Sequence, residues 1–342
     1  MGRFQRSAAW LYQRYRTFFD RLIPALGLVL MFVLVEQHTS VFPVEWRLFI
    51  AGAVLAAGLA TPVVGYGLFV LALAYPLYSI SIYVAALGLA ALILLVFAAA
   101  RHLAAVVLML CLPLVIPYRV AVAAPLLAGL WWGDWGGALV GLGSALWLKI
   151  FAGMCGAAPD LIRLGDQALA VEQFITRFQT ANSLQTLLWL VDPLVPNSQA
   201  ALFHIFQVLG WGLGGYAVGL VCRRMEGMSR PHVGLLASVS AGLVGIWMGG
   251  VALPLIFDLQ AVKSWSTFLL SGFLIECVRS GVILVGLYGL SRYLTRPAAM
   301  PIPSLSEPRQ PSSPPLETVS QSWSRPRSRE EDPGDIIMID LD

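Results

Sequence analysis

Residues 48–100 contain no charged side chain. About 20 apolar residues are enough for a helix to cross the hydrocarbon core of a bilayer, so this block must cross more than once. Composition points the same way. The chain is 58% hydrophobic and 12% charged, about half the charged fraction of an ordinary soluble domain, which leaves too little polar surface to coat a globule. A soluble enzyme, a nucleic-acid reader and a secreted disulfide scaffold are excluded. The chain reads as all-α, a polytopic integral membrane helical bundle whose first partner is the lipid bilayer.

The net charge of +3 hides a strong segregation. Arg3, Arg6, Arg14, Arg16 and Arg21 stand against Asp20 alone at the start, while the segment after Thr295 is acidic overall. A basic start of this kind is a topological signal. Trp10, Tyr12, Tyr15, Phe18 and Phe19 interleave with those arginines, and no small-x-small cleavage site follows the first apolar stretch. Residues 1–21 therefore read as a basic interfacial helix before an uncleaved span. Cys111, Cys155, Cys222 and Cys277 have no paired spacing, so neither a metal nor a disulfide framework is expected.

Ten spans can be laid out. A first group, residues 22–100, breaks at Thr61-Pro62 and Tyr75-Pro76 and closes at Arg101-His102. A second domain, residues 101–295, divides at Pro117-Tyr118-Arg119 and at Asp134 and ends with spans near 203–222, 232–257 and 266–293. Between them lies an insert, 159–199, in which Leu161, Leu164, Ala168, Val171, Ile175 and Phe178 recur at three- and four-residue steps. That is the pattern of one amphipathic helix on the bilayer surface. Merging two pairs of segments gives eight spans and the same parity. Ten spans put both termini, Arg101 and the Arg223-Arg224-Arg230 loop on the cytoplasmic side, in the inner membrane of a bacterial cell, and eight also keep both ends inside. Residues 296–342 are rich in proline and serine and read as a disordered cytoplasmic tail.

The most patterned stretch places glycine at 129, 133, 137 and 141, with Asp134 and Trp135 in the middle. Small residues at four-residue spacing let membrane helices approach closely, and Asp134 with its aromatic neighbours suggests two glycine faces on successive helices. Gly210/Gly214, Gly215/Gly219 and Ala241/Gly245/Gly249 repeat the device. Pro125-Leu-Leu-Ala-Gly-Leu-Trp-Trp-Gly-Asp-Trp-Gly-Gly-Ala-Leu-Val-Gly resembles the helix–turn–helix of energy-coupling-factor (ECF) substrate-binding membrane subunits. The order of later segments is also similar, over about residues 103–293. The resemblance implies a solute-binding membrane subunit served by separate ATPase and coupling subunits. Asp134 stands where that family has proline, and the insert and the four earlier spans have no counterpart in it. The family's alanine contact with the coupling partner is matched only by Ala100 and Ala104, which straddle Arg101.

Ionisable residues inside spans are costly and mark either packing or function. Lys149, near the end of its segment, is expected to snorkel to the interface. Glu276 and Arg279, three apart, are expected to form one unit facing the interior, either as a packing pair or as part of a polar cavity. Asp134, Trp135, Lys149, Glu276 and Arg279 are thus the candidate cavity or packing residues. No catalytic set is legible: Ser144 has no histidine in a suitable context on another span, Asp134 has no second intramembrane aspartate, and no Gly-rich phosphate loop carries a lysine. Neither enzyme activity nor a cofactor nor nucleic-acid binding is expected. The tail ends in a short apolar run, Ile336, Ile337, Ile339 and Leu341, framed by aspartates. It is similar to ubiquitin-family (SUMO-type) interaction motifs, which add a strand to the sheet edge of a cytoplasmic partner; the plain alternative is a solvated end. Two functions remain open: a transporter-like membrane subunit, or a non-transporting scaffold whose tail recruits a partner.

Overall fold

A computed structural model describes residues 11–167, 169–225, 231–259 and 272–295. Every regular element among them is helical. The principal helices are α1 (Arg16–Thr39), α2 (Val44–Ala60), α3 (Pro62–Ile80), α4 (Ile82–Leu94), α5 (Val96–Leu110), α6 (Ala123–Met154), α7 (Val171–Gln179), α8 (Ser183–Val191), α9 (Ser198–Met225), α10 (Pro231–Trp247) and α11 (Gly272–Thr295). Seven stretches are long and apolar enough to cross a bilayer: α1, α3, Val96–Tyr118, α6, α9, His232–Ile256 and Gly272–Ser291. The chain is a multi-pass membrane bundle. Seven differs from ten for three local reasons. With 17 and 13 residues, α2 and α4 fall short of a full crossing, and α6 is one 32-residue run that the sequence divides at Asp134.

That division has a structural basis. At Gly133 the backbone takes φ 74° and ψ −167°, a conformation open essentially to glycine alone. In a straight helix Gly129 and Gly137 would stand about 12 Å apart along the axis. Here a Cβ added to Gly137 would lie 2.7 Å from the Gly129 Cα, and Ala128 and Val140 share an apolar cluster with Ala105. The chain therefore folds back, and α6 is a hairpin of residues 123–133 and 134–154.

Glycine sets the centre of the bundle. The second arm of the hairpin meets α9 backbone to backbone: a Cβ on Gly141 would be 2.8 Å from the Trp211 carbonyl carbon, and Gly137 and Gly215 abut through their main chains. On its other side α9 meets the α10 end of the chain, where a Cβ on Gly210 would lie 2.7 Å from Gly249 Cα. Gly249 sits in a widened turn, Met248–Ala252, just before Pro254, which has no N–H to return to Gly250. The small-residue faces expected from the sequence are these contacts. Around them Leu126, Leu148, Trp211, Val218, Ile246 and Leu284 form one apolar core. A second core gathers Phe32, Tyr66, Phe69 and Leu92 with Leu103, Val106 and Leu110, so α5 packs with the helices that precede it. There the buried Tyr66 hydroxyl donates to the Leu92 carbonyl at 2.9 Å.

Two expectations need correction. Tyr75-Pro76 is no break: α3 runs through Pro76 to Ile80, since membrane helices tolerate an internal proline, here one that leaves the Ala72 carbonyl without its helical donor, and further along Ser79 Oγ donates to the Pro76 carbonyl at 2.7 Å. The break falls at Ser81, extended at φ −166° and ψ 140°, whose hydroxyl accepts from Tyr83 N–H to start α4. Nor is the insert one helix. It is a 3-10 turn, Leu164–Asp166, followed by α7 and α8. Its apolar residues are spent on protein: Leu161 and Leu164 enter the main core, and Phe174 and Phe178 pack with Ile80, Val84 and Cys155. An apolar surface remains on α8, through Leu184, Leu187, Leu188 and Val191. Ala168, Lys263, the first ten residues and the tail motif Ile336, Ile337, Ile339 and Leu341 lie outside the described residues.

Candidate functional site

Lys149 lies fifteen residues beyond Asp134, about 22 Å along the second arm of the hairpin. It does not snorkel. It is 1% exposed, and its ammonium, with three N–H groups to place, has three acceptors: the Pro159 carbonyl at 2.7 Å, His204 Nδ1 at 2.8 Å and Gln207 Oε1 at 2.5 Å. Reaching the interface would leave those acceptors buried without a donor, at about 1–3 kcal/mol for each. Gln207, also 1% exposed, continues the chain. Its Nε2 donates to Asp160 Oδ1 at 2.7 Å, and its Oε1 also accepts from Leu161 N–H at 3.3 Å. Asp160 in turn takes Ile162 N–H at 3.0 Å. The result is a latch: one lysine on α6 and a His204/Gln207 pair, three apart on α9, hold the start of the insert against the bundle.

The latch places Leu161 and Leu164 over a void. It is a small, partly open recess with room for about one water molecule, lined by Leu148, Leu161, Leu164, Trp211, Ile116 and Glu276 among others. Glu276, 4% exposed, is the acidic residue of that lining. Its Oε1 accepts from Val122 N–H at 3.2 Å, and Ala121 N–H also donates to its carboxylate. Beside it Arg119 pairs with Asp166. Residue 119 has φ 54°, a left-handed turn that ends the irregular segment before α6 and turns two consecutive N–H groups toward α11.

Glu276 and Arg279 are not one unit. Glu276 faces inward, whereas Arg279 is exposed and donates to the Tyr118 carbonyl at 3.3 Å. Three residues on a helix are about 60° apart around the axis, enough here to put one inside and the other at the rim. Asp134 and Trp135 do not line the void either. Asp134 sits at the hairpin tip, where it pairs with Arg223 of α9 at 2.9 Å and accepts Trp135 N–H at 3.0 Å. Trp135 is 72% exposed and stacks edge-on with Tyr216. At the end shared by α1 and α2, Arg21 donates to the Ala60 carbonyl at 2.8 Å. Of the five candidates the structure thus gathers Lys149 and Glu276 at one end of the hairpin and leaves Asp134 and Trp135 at the other.

Gln207, Asp160, Arg119 and Asp166 escaped the sequence reading. Gln207 had a signal, a polar amide alone in an apolar span. The other three sit in irregular chain, where no periodicity assigns a face. The chain matches no family model, no curated protein and no solved structure.

Proposed function

We propose that this chain is a transporter-like membrane subunit that binds a small solute in the void beneath the insert. One observation carries the reading: a carboxylate buried within a span borders a small, apolar-walled recess that the insert caps and a buried latch holds in place. Buried ionisable groups in spans mark solute and ion pathways, and pockets between helices with a few convergent polar groups are the usual form of a ligand site. The resemblance of residues 125–141 to ECF subunits supports the same reading. On that analogy the energy comes from separate ATPase and coupling subunits, and the termini are cytoplasmic in a bacterial inner membrane. The tail motif Ile336, Ile337, Ile339 and Leu341 is the segment offered to a cytoplasmic partner.

The reading is tested by screening detergent-purified full-length protein for thermal stabilisation by a panel of small polar solutes of each charge class. Ligand binding to the folded state alone must raise the melting temperature. We expect at least one class to do so, and Leu164→Trp, which fills the void, to abolish the response. The scaffold reading is favoured by the close glycine packing of α6, α9 and α10, and predicts no response from any class.

A further inference from the structure

We infer that Glu276 is a proton-binding site, exchanging one proton with water through the recess under the insert. The inference uses the recess but no solute in it, so it stands or falls apart from the solute reading above. Size gives the ligand. The recess has room for about one water molecule, which excludes an organic body. Leu148, Leu161, Leu164 and Ile116 wall it and offer no side-chain oxygen, whereas a metal cation takes several oxygen ligands at once. A proton needs one oxygen, and Glu276 supplies it.

The carboxylate is held on one side and reachable on the other. Its Oε1 accepts from Val122 N–H at 3.2 Å, and Ala121 N–H adds a second donor to the group. Oε2 lies toward the recess: a Cβ added to Gly165, which lines the same space, would stand 3.6 Å from it. Among the described residues no cation is bonded to Glu276. The segment before α6 brings Arg119, which pairs with Asp166 of the insert turn; both act on Glu276, with opposite sign. From α6 comes Lys149, whose N–H groups go to Pro159, His204 and Gln207. Arg163 of the insert pairs with Asp160 at 3.9 Å. On α11 itself Arg279 turns outward to Tyr118, and Cys277 is a free thiol. The titratable residue of α10 is His232, exposed in its first turn. Buried carboxylates in spans serve as proton relays, and the single water that the recess admits supplies the route. That water gives a proton to Oε2 and regains one from the aqueous side; release is the reverse, so only O–H bonds form and break. With the proton on, Arg119 faces one carboxylate, Asp166. With it off, Arg119 stands between two. Proton occupancy therefore sets the balance of charge where the insert turn meets α11.

Infrared difference spectroscopy of the full-length protein in detergent tests this, with water and D2O as the probes. Spectra are compared between about pH 4 and about pH 10, which brackets carboxyl groups from exposed to buried. The wild type should show a carboxylic-acid carbonyl band that grows as the pH falls, shifts to lower frequency in D2O and is missing from Glu276→Gln. Gly165→Ala places a methyl group against Oε2 and leaves the carboxyl in position. It should keep the band but slow its D2O shift about tenfold or more, because exchange then waits for the insert to open locally. If Glu276→Gln does not elute as a monodisperse species, Glu276→Asp replaces it, and the band should change frequency instead of vanishing. A spectrum that the Glu276 variant leaves unchanged overturns the proton site. A band that does not shift in D2O, or shifts as fast in Gly165→Ala as in the wild type, overturns the recess as its route. If the wild type passes both tests while no solute stabilises it, the proton site stands and the solute reading fails.

Discussion

The sequence sends Lys149 to the interface and Arg279 to the interior beside Glu276, and the structure reverses the two according to their acceptors. Lys149 has three and is buried with them. Arg279 has one carbonyl and reaches the rim. Lys149→Met should therefore cost about 3–5 kcal/mol of stability, the usual penalty for removing one partner from a buried charged set. Arg279→Ala should stay within about 0.5 kcal/mol. Unfolding titrations in mixed micelles compare the two, and equal costs would contradict the latch. A residue's type and depth in a span were legible in the sequence; its partners were not. Those of Lys149 come from residues 159–207, and those of Glu276 come from the irregular chain before α6. Such pairings depend on how elements meet, which no local spacing records.

At the scale of elements, glycine decides where helices touch. Gly137, Gly141, Gly215 and Gly249 meet neighbouring backbone, whereas Gly281, Gly286 and Gly289 on α11 have nothing within 4 Å of an added Cβ. Alanine at the first four should overpack the interfaces, at about 1–3 kcal/mol each. At the last three it should be neutral or stabilising by up to about 1 kcal/mol, since alanine is the better helix former. A thermal-stability series over the seven variants checks this; a uniform effect would remove the case for glycine as the contact surface. The four-residue glycine spacing was legible because it repeats in one chain segment, and so was the turn beside Asp134. Pro76 misled because proline in a soluble helix means an end, while in a membrane span the surroundings can absorb it. The insert misled differently: its three- and four-residue periodicity is real, but Leu161, Leu164, Phe174 and Phe178 bury against protein instead of lipid.

For the whole molecule, the contacts sort the loops into two ends. Arg21 ties the start of α1 to the end of α2, and Asp134 ties the hairpin tip to the end of α9. Following the chain through its breaks puts these two ties at one end and the latch, the insert and the void at the other. The basic residues Arg21, Arg101 and Arg223 fall at the first end, which the proposed orientation places in the cytoplasm. The central claim of the proposal is that a solute site lies under the insert, at the end away from Arg21 and Arg223, and opens there. Thiol labelling tests it most directly. In a variant lacking Cys111, Cys155, Cys222 and Cys277, a cysteine at Leu164 would be exposed to a membrane-impermeant reagent added to intact cells, and again to inside-out vesicles. The account predicts modification in intact cells and none in sealed inside-out vesicles. Modification only in inside-out vesicles, or equal modification in both, would contradict it.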